Sequence, residues 1–203
     1  MNKIEWQKRI TRRSDFTCGI VHLTKPADGL NGFNILMKIL REKVLIASTK
    51  GYICGYDPVV CFQDVPLQSL SENVYYEQDL AHDNGEDLRY SAFGLRFLKT
   101  DIYRDGGRPV IYDNSSDAKS FLPNEQYWRI VCFDLNNDKN MIDWTHEREW
   151  RIKGDYHFEW NQVEVLLSNE TSFDKFYEYC IQNEMTDMLK EIKGVIQLKS
   201  MIF

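Results

Sequence analysis

From Val59 onwards the chain keeps returning to short apolar runs closed by turn-forming residues, the pattern of strands rather than of helices. Val59-Val60-Cys61-Phe62 is stopped by Asp64 and Pro66. Phe93 to Leu98 and Pro109 to Tyr112 read as two strands around a turn at Arg104-Asp105-Gly106-Gly107, and Tyr127 to Phe133 as another. Trp150-Arg151-Ile152 and Val163-Glu164-Val165-Leu166-Leu167 predict a further hairpin. All these runs fall far short of the roughly 20 residues that cross a bilayer, and the N-terminus lacks the apolar stretch of a signal peptide. A cytoplasmic protein without a membrane segment is expected.

Helical signals flank this strand-rich centre. After a short strand at Gly19 to Leu23, Thr24 and Pro26-Ala27-Asp28-Gly29 precede a helix from about Leu30 to Glu42, with Phe33, Leu36 and Leu40 on one face. Val65 to Leu70 opens another helix or a single turn. Ser71 to Leu88 is acidic, shows no sustained period and carries Asn84-Gly85, so it reads as a surface loop. Near the end, Thr171 and Asp174 resemble a capping box, and Phe173, Phe176, Tyr177, Cys180 and Ile181 recur at helical spacing. A short helix around Met185, Met188, Leu189 and Ile192 stops at Gly194, and Val195 to Leu198 is a last strand. The fold class that follows is α+β, with a mostly antiparallel, two-sheet core and flanking helices. No Pro/Gly/Ser-rich tract divides residues 1 to 203, so one domain is expected.

Composition narrows the function classes. A net charge of −6 argues against a general nucleic-acid binder, because counterion release needs a basic surface, and leaves room for local exceptions. The most basic stretch, Lys8 to Arg13, reads as a solvated leading segment. Five widely spaced cysteines (Cys18, Cys54, Cys61, Cys132, Cys180) fit reduced core thiols, not a disulfide framework or a CxxC zinc site. The phosphate-cradle, dinucleotide-turn, nucleophile-elbow and HExxH patterns are all missing.

What stands out chemically is Asp143-Trp144-Thr145-His146-Glu147-Arg148-Glu149-Trp150-Arg151. If it is extended, its period of two puts Glu147 and Glu149 on one face, with Arg148 and Trp150 on the other. Two readings stand. A paired acidic face beside tryptophans is costly in a dry core and suits a cleft or a partner. Alternatively, both glutamates face water while Trp150 packs inward and Arg151 is salt-bridged. His22-Leu23-Thr24 is a second candidate, with two hydrogen-bonding groups at a strand end. Arg89-Tyr90-Ser91 offers a guanidinium, a phenol and a hydroxyl.

His22-Leu23-Thr24, Val60-Cys61-Phe62-Gln63-Asp64-Val65-Pro66-Leu67, Arg89 to Leu95, Arg108 to Tyr112 and Glu147-Arg148-Glu149-Trp150-Arg151, taken in order, resemble the AbiGi family of abortive phage-resistance antitoxins. That resemblance implies a cognate toxin or a phage component as partner. The layout of strand H-x-T, helix and late-strand E-x-E is also similar, more distantly, to ADP-ribosyltransferases, including the DarT-like enzymes that modify DNA. This second resemblance implies NAD as substrate, with His22 and Thr24 seating its ribose and Phe62, Arg89 and Tyr90 around the cofactor. Glu149 would be the catalytic glutamate and Glu147 would act on a protein or nucleic-acid acceptor. Phe62, Tyr90 and Tyr112 compete to stack on nicotinamide, and Glu164 competes with Glu149. A third reading makes Asp143, Glu147 and Glu149 ligands of a metal-dependent nuclease. Transferase chemistry requires His22 and Glu149 to face one cleft.

Overall fold

The computed structural model describes residues 1–50 and 53–202. In chain order the first half holds α1 (Lys3–Ile10), β1 (Gly19–Leu23), α2 (Gly32–Glu42), β2 (Val44–Leu45), β3 (Val59–Gln63), α3 (Leu67–Asn84), β4 (Gly94–Leu98) and α4 (Lys99–Arg104). The second half holds β5 (Arg108–Pro109), β6 (Ile111–Asp113), α5 (Ser115–Phe121), β7 (Ile130–Cys132), β8 (Glu149–Lys153), β9 (Tyr156–His157), β10 (Val163–Leu167), α6 (Glu170–Gln182), α7 (Thr186–Glu191) and β11 (Gly194–Gln197).

Seven strands form one sheet in the order β11-β10-β4-β1-β3-β8-β5, antiparallel throughout except for the β10–β11 pair. The α6–α7 segment supplies the long crossover that this parallel pair requires. The fold is therefore α+β and mostly antiparallel. Its core is not two packed sheets, however, because the remaining strands form only the two-stranded ribbons β2–β9 and β6–β7.

Two expected hairpins are absent for physical reasons. β8 pairs with β3 and β5, while β10 pairs with β4 and β11, so three strands lie between them. Helix α4 fills the start of the Leu98–Arg108 connection, and β4 and β5 do not pair. The Pro109–Tyr112 run splits between β5 and β6. Proline cannot donate to a ladder, and Pro109 accordingly sits in the edge strand.

Strand alternation assigns the two faces. Ile20, Val60, Phe62, Leu95, Phe97, Ile152, Val163 and Val165 point to one side, here called the upper face. They pack under Leu36, Met37 and Leu40 of α2 and Phe176 and Cys180 of α6. Phe62, Phe97 and Tyr156 meet edge to face, with centroids 5.6 to 6.1 Å apart. On the lower face, Val21 and Leu166 meet Leu70 and Val74 of α3, together with Leu198. Gly94 is demanded by the sheet itself, since a Cβ there would lie 2.3 Å from the carbonyl oxygen of His22 on β1.

α3 overturns the surface-loop expectation for Ser71 to Leu88. Its 18 residues bury only Leu70, Ser71, Val74 and Ala81, too few contacts to impose a visible period. Tertiary bonds hold it instead. Ser71 donates to the Leu198 carbonyl at 2.6 Å and Tyr75 to the Ser168 carbonyl at 3.1 Å. The Asn84-Gly85 signal is real but marks a helix end, with Gly85 left-handed at φ 66°. α6 is the expected helix, but its cap is Asn169, which accepts from the Ser172 N–H, not Thr171. Only Phe176 and Cys180 of its apolar set are buried.

Candidate functional site

The 143–151 segment is not one extended strand. Asp143 accepts from the Thr145 N–H at 2.9 Å and from its hydroxyl at 2.6 Å, starting a 3-10 turn over Thr145–Glu147. Arg148 is left-handed at φ 46°, and β8 begins only at Glu149. A non-glycine residue in that region is strained. The side chain of Arg148 is anchored outside the sheet by the Asp15 carbonyl oxygen and the Phe16 ring. The turn, rather than a period of two, brings Glu147 and Glu149 together.

Both carboxylates are interior, each only 8% exposed. Glu149 is gripped by Arg151, whose Nε donates at 2.7 Å to one oxygen and Nη2 at 3.3 Å to the other. The same guanidinium donates through Nη1 to the carbonyls of Trp128 and Ile130, at 2.8 and 3.0 Å. The backbone N–H of Glu149 donates to the Tyr112 hydroxyl at 2.7 Å. Glu147 accepts a 2.5 Å bond from the Tyr90 hydroxyl. Beside it, the Arg89 guanidinium lies 3.7 Å above the Trp144 ring. The expectation that the glutamates face water is thus wrong, whereas Arg151 is salt-bridged as that reading required.

Gln63 and Cys61 complete the lining from β3, being the register neighbours of Glu149 and Arg151. Gln63 is buried, and its Nε2 finds no acceptor among the described residues. The sequence marks neither residue as a site, since Val59 to Phe62 reads as a strand stopped by Asp64 and Pro66. Their signal was the strand period, which puts Cys61 and Gln63 on the face opposite Phe62.

Burial sets the protonation states. Desolvation raises the Glu147 carboxyl above the ordinary glutamate range; the Tyr90 hydrogen bond opposes this and the Glu149 charge adds to it. Burial, reinforced by Glu147, drives the Tyr90 phenol far above its usual value, and burial lifts Tyr112 to about 12. The Cys61 thiol is pushed up by burial and then by Glu149, so it stays a thiol. Desolvation works against the Arg151 charge, but Glu149 outweighs it and the guanidinium is held more firmly charged. Chemically the cluster offers a carboxyl that binds its proton more tightly than an ordinary glutamate beside a charge-paired one, with two phenols that remain protonated.

The other expected site residues lie elsewhere. Val21 registers with Gln63 and Gln63 with Glu149, so all three share the lower face. His22, one residue on, is on the upper face. It donates from Nδ1 to the Cys61 carbonyl at 2.9 Å, and its ring meets Phe62. Burial lowers its pKa, leaving a neutral imidazole. His22 and Glu149 therefore project from opposite faces of the sheet and line no common cleft.

Phe62, 1% exposed, is built into the aromatic core, with no free ring face for a nicotinamide. The Thr24 hydroxyl lies within hydrogen-bonding distance of the Gly32 and Phe93 carbonyls and of Ser91 Oγ, at 2.9 to 3.1 Å, stapling β1 to α2 and β4. Glu164 is ion-paired with Arg96 on β4, three strands from β8. Asp143 is turned to Thr145, and among the described residues no group of three or more His, Cys, Asp or Glu side chains is placed to hold a metal. Of the expected set, Arg89, Tyr90, Glu147 and Glu149 come together, with Tyr112 beside them on the Glu149 N–H.

Among the described residues no helix is long and apolar enough to cross a membrane. No family model, curated protein or solved structure matches the chain.

Proposed function

We propose that this chain is a non-catalytic binding protein of an abortive-infection or toxin–antitoxin system, whose task is to hold a cognate toxin or a phage component. One observation carries the reading: the acid pair that would perform chemistry is sealed and internally paired, Glu149 by Arg151 and Glu147 by Tyr90. A buried ion pair of this kind serves the fold, because breaking it leaves an uncompensated charge. The resemblance to abortive-infection antitoxins supplies the partner class. Co-expression with the product of the adjacent gene is expected to give a stoichiometric complex that co-elutes on gel filtration. Separate elution of two folded proteins refutes the proposal.

A second reading, the NAD-consuming transferase with a protein or nucleic-acid acceptor, is favoured by the convergence of Tyr90, Glu147 and Glu149 and by the raised Glu147 carboxyl. Nicotinamide leaves NAD as a neutral ring and needs no acid, so the reaction asks for one carboxylate beside the oxocarbenium-like ribose and a second carboxyl, of raised pKa, to take the acceptor's proton. Incubation of the purified chain with NAD separates the readings. Nicotinamide release that is abolished in Glu149→Gln supports the transferase, and its absence leaves the binding protein.

A further inference from the structure

The second half of α3 and the turn after it were expected to be a loop, and the sealed cluster makes no use of their outer surface. From Glu72 to Asp87 the chain carries six carboxylates (Glu72, Glu77, Asp79, Asp83, Glu86, Asp87) and no lysine or arginine, a local charge as large as the −6 of the whole protein. All but Glu77 are exposed. A helix that served only as a solvated ridge would have no need of apolar side chains here. Yet Tyr76 is 63% exposed, and one turn further Leu80 is 39% exposed, as is Leu88 beyond the helix. Beside Leu80 opens a cleft of about 270 Å³, lined by Glu77, Leu80, Ala81, Glu86, Asp87 and Arg89.

The cleft has aliphatic walls and three carboxylates. Its one cation, Arg89, lines the cleft with its guanidinium 3.7 Å from the Trp144 ring, so the three carboxylates outnumber it. The nearby His82 pairs with Asp83 at 3.5 Å only when protonated. A side chain that matches both features has a hydrocarbon stem and a cationic head, as lysine and arginine do.

We propose that the surface formed by Tyr76, Leu80 and this acidic cleft docks a basic amphipathic segment of a partner protein, with one lysine or arginine entering between Glu77, Glu86 and Asp87. Charge complementarity selects the occupant: nucleic acid carries the wrong sign, and a second copy is repelled by its overall charge of −6 although its Lys8 to Arg13 stretch is basic, which makes a self-dimer an outcome that the test must read. The proposal rests on the binding-protein reading and gives it a site and a partner chemistry.

The test uses the full-length chain and a labelled synthetic helical peptide of leucine and lysine, with its glutamate-for-lysine counterpart, followed by fluorescence anisotropy. The lysine peptide is expected to bind and the glutamate peptide not to. The double variant Glu86→Lys/Asp87→Lys should weaken binding by about tenfold or more, and Leu80→Ser should weaken it as well. All three positions are at the surface, and circular dichroism checks that each variant folds.

The control is Asp174→Lys/Glu178→Lys on α6, which makes the same charge change beside the exposed Phe173, Tyr177 and Ile181. It is expected to leave affinity within about twofold. Equal loss in the α6 control, absence of lysine-peptide binding, or a self-dimer dissociated by Glu86→Lys/Asp87→Lys each overturns the proposal. Because the peptide needs no cognate partner, the two readings fail separately. A co-expressed complex untouched by the α3 double variant removes this site and keeps the binding reading. Peptide binding as expected, without any complex, does the reverse.

Discussion

On the upper side of β8, Trp150 and Ile152 join a core of aliphatic and edge-to-face aromatic side chains, whereas on the lower side Glu149 and Arg151 lock into a charged network. The same five residues thus serve two media. The upper side is stabilised by area removed from water and tolerates swaps that keep volume. The lower side depends on every polar group keeping its partner, since desolvation is recovered only through complete pairing. Glu149 spends its charge on Arg151, and Arg151 spends its remaining donors on the carbonyls of Trp128 and Ile130.

The sharpest way to break this contrast is Arg151→Met, which leaves a buried carboxylate without its cation. A loss of about 3–5 kcal/mol in chemical denaturation is expected. The Glu149→Leu/Arg151→Met double variant should recover most of that loss. Recovery stays incomplete because two interior carbonyls lose their donor, at about 1–3 kcal/mol. A single variant that unfolds no more easily than the native chain would show the pair to be dispensable.

Much of this was legible in the sequence, and the rest had identifiable causes. β3 and β10 declare themselves as short apolar runs buried on both faces, and α6 by apolar residues at helical spacing. α3 does not, since its stability comes from Val74 and Leu70 under a sheet formed by remote residues and from Ser71 bonding to Leu198. The acidic segment was recognised as the likeliest chemistry, but its partner Tyr90 lies 57 residues away and is not encoded locally. The idea of one cleft for His22 and Glu149 failed on parity. In the β1–β3–β8 register it is Val21 that shares a face with Glu149, and a shift of one residue sends a side chain to the other side of the sheet.

Tyr90→Phe tests the outer half of the lower network at smaller cost. It removes the donor to Glu147 while keeping the ring packed beside the α3 cluster. A loss of about 1–3 kcal/mol is expected at neutral pH, where the carboxylate is left unsatisfied. Denaturation below the ordinary glutamate range should shrink that loss, because a protonated Glu147 has less need of the phenol. An equal loss at both pH values would assign the effect to packing instead.

Glu147→Gln carries the smallest effect and the clearest sign. A carboxyl whose pKa is raised on folding binds its proton more tightly in the folded chain than in the unfolded one. Its contribution is therefore full below the ordinary glutamate range and is lost as pH rises through the folded value. Glutamine keeps an oxygen to accept from Tyr90 but has no charge to desolvate, so it abolishes that loss. Relative to the native chain, Glu147→Gln should gain stability between about pH 4 and neutrality, levelling off within about 1 kcal/mol. Thermal denaturation across that range decides the matter. A difference that is flat with pH would mean that folding leaves the Glu147 pKa where it was, and one that grows towards acid would mean that Glu147 is stabilised as a carboxylate, so that hydrogen bonding and not desolvation governs the lower face.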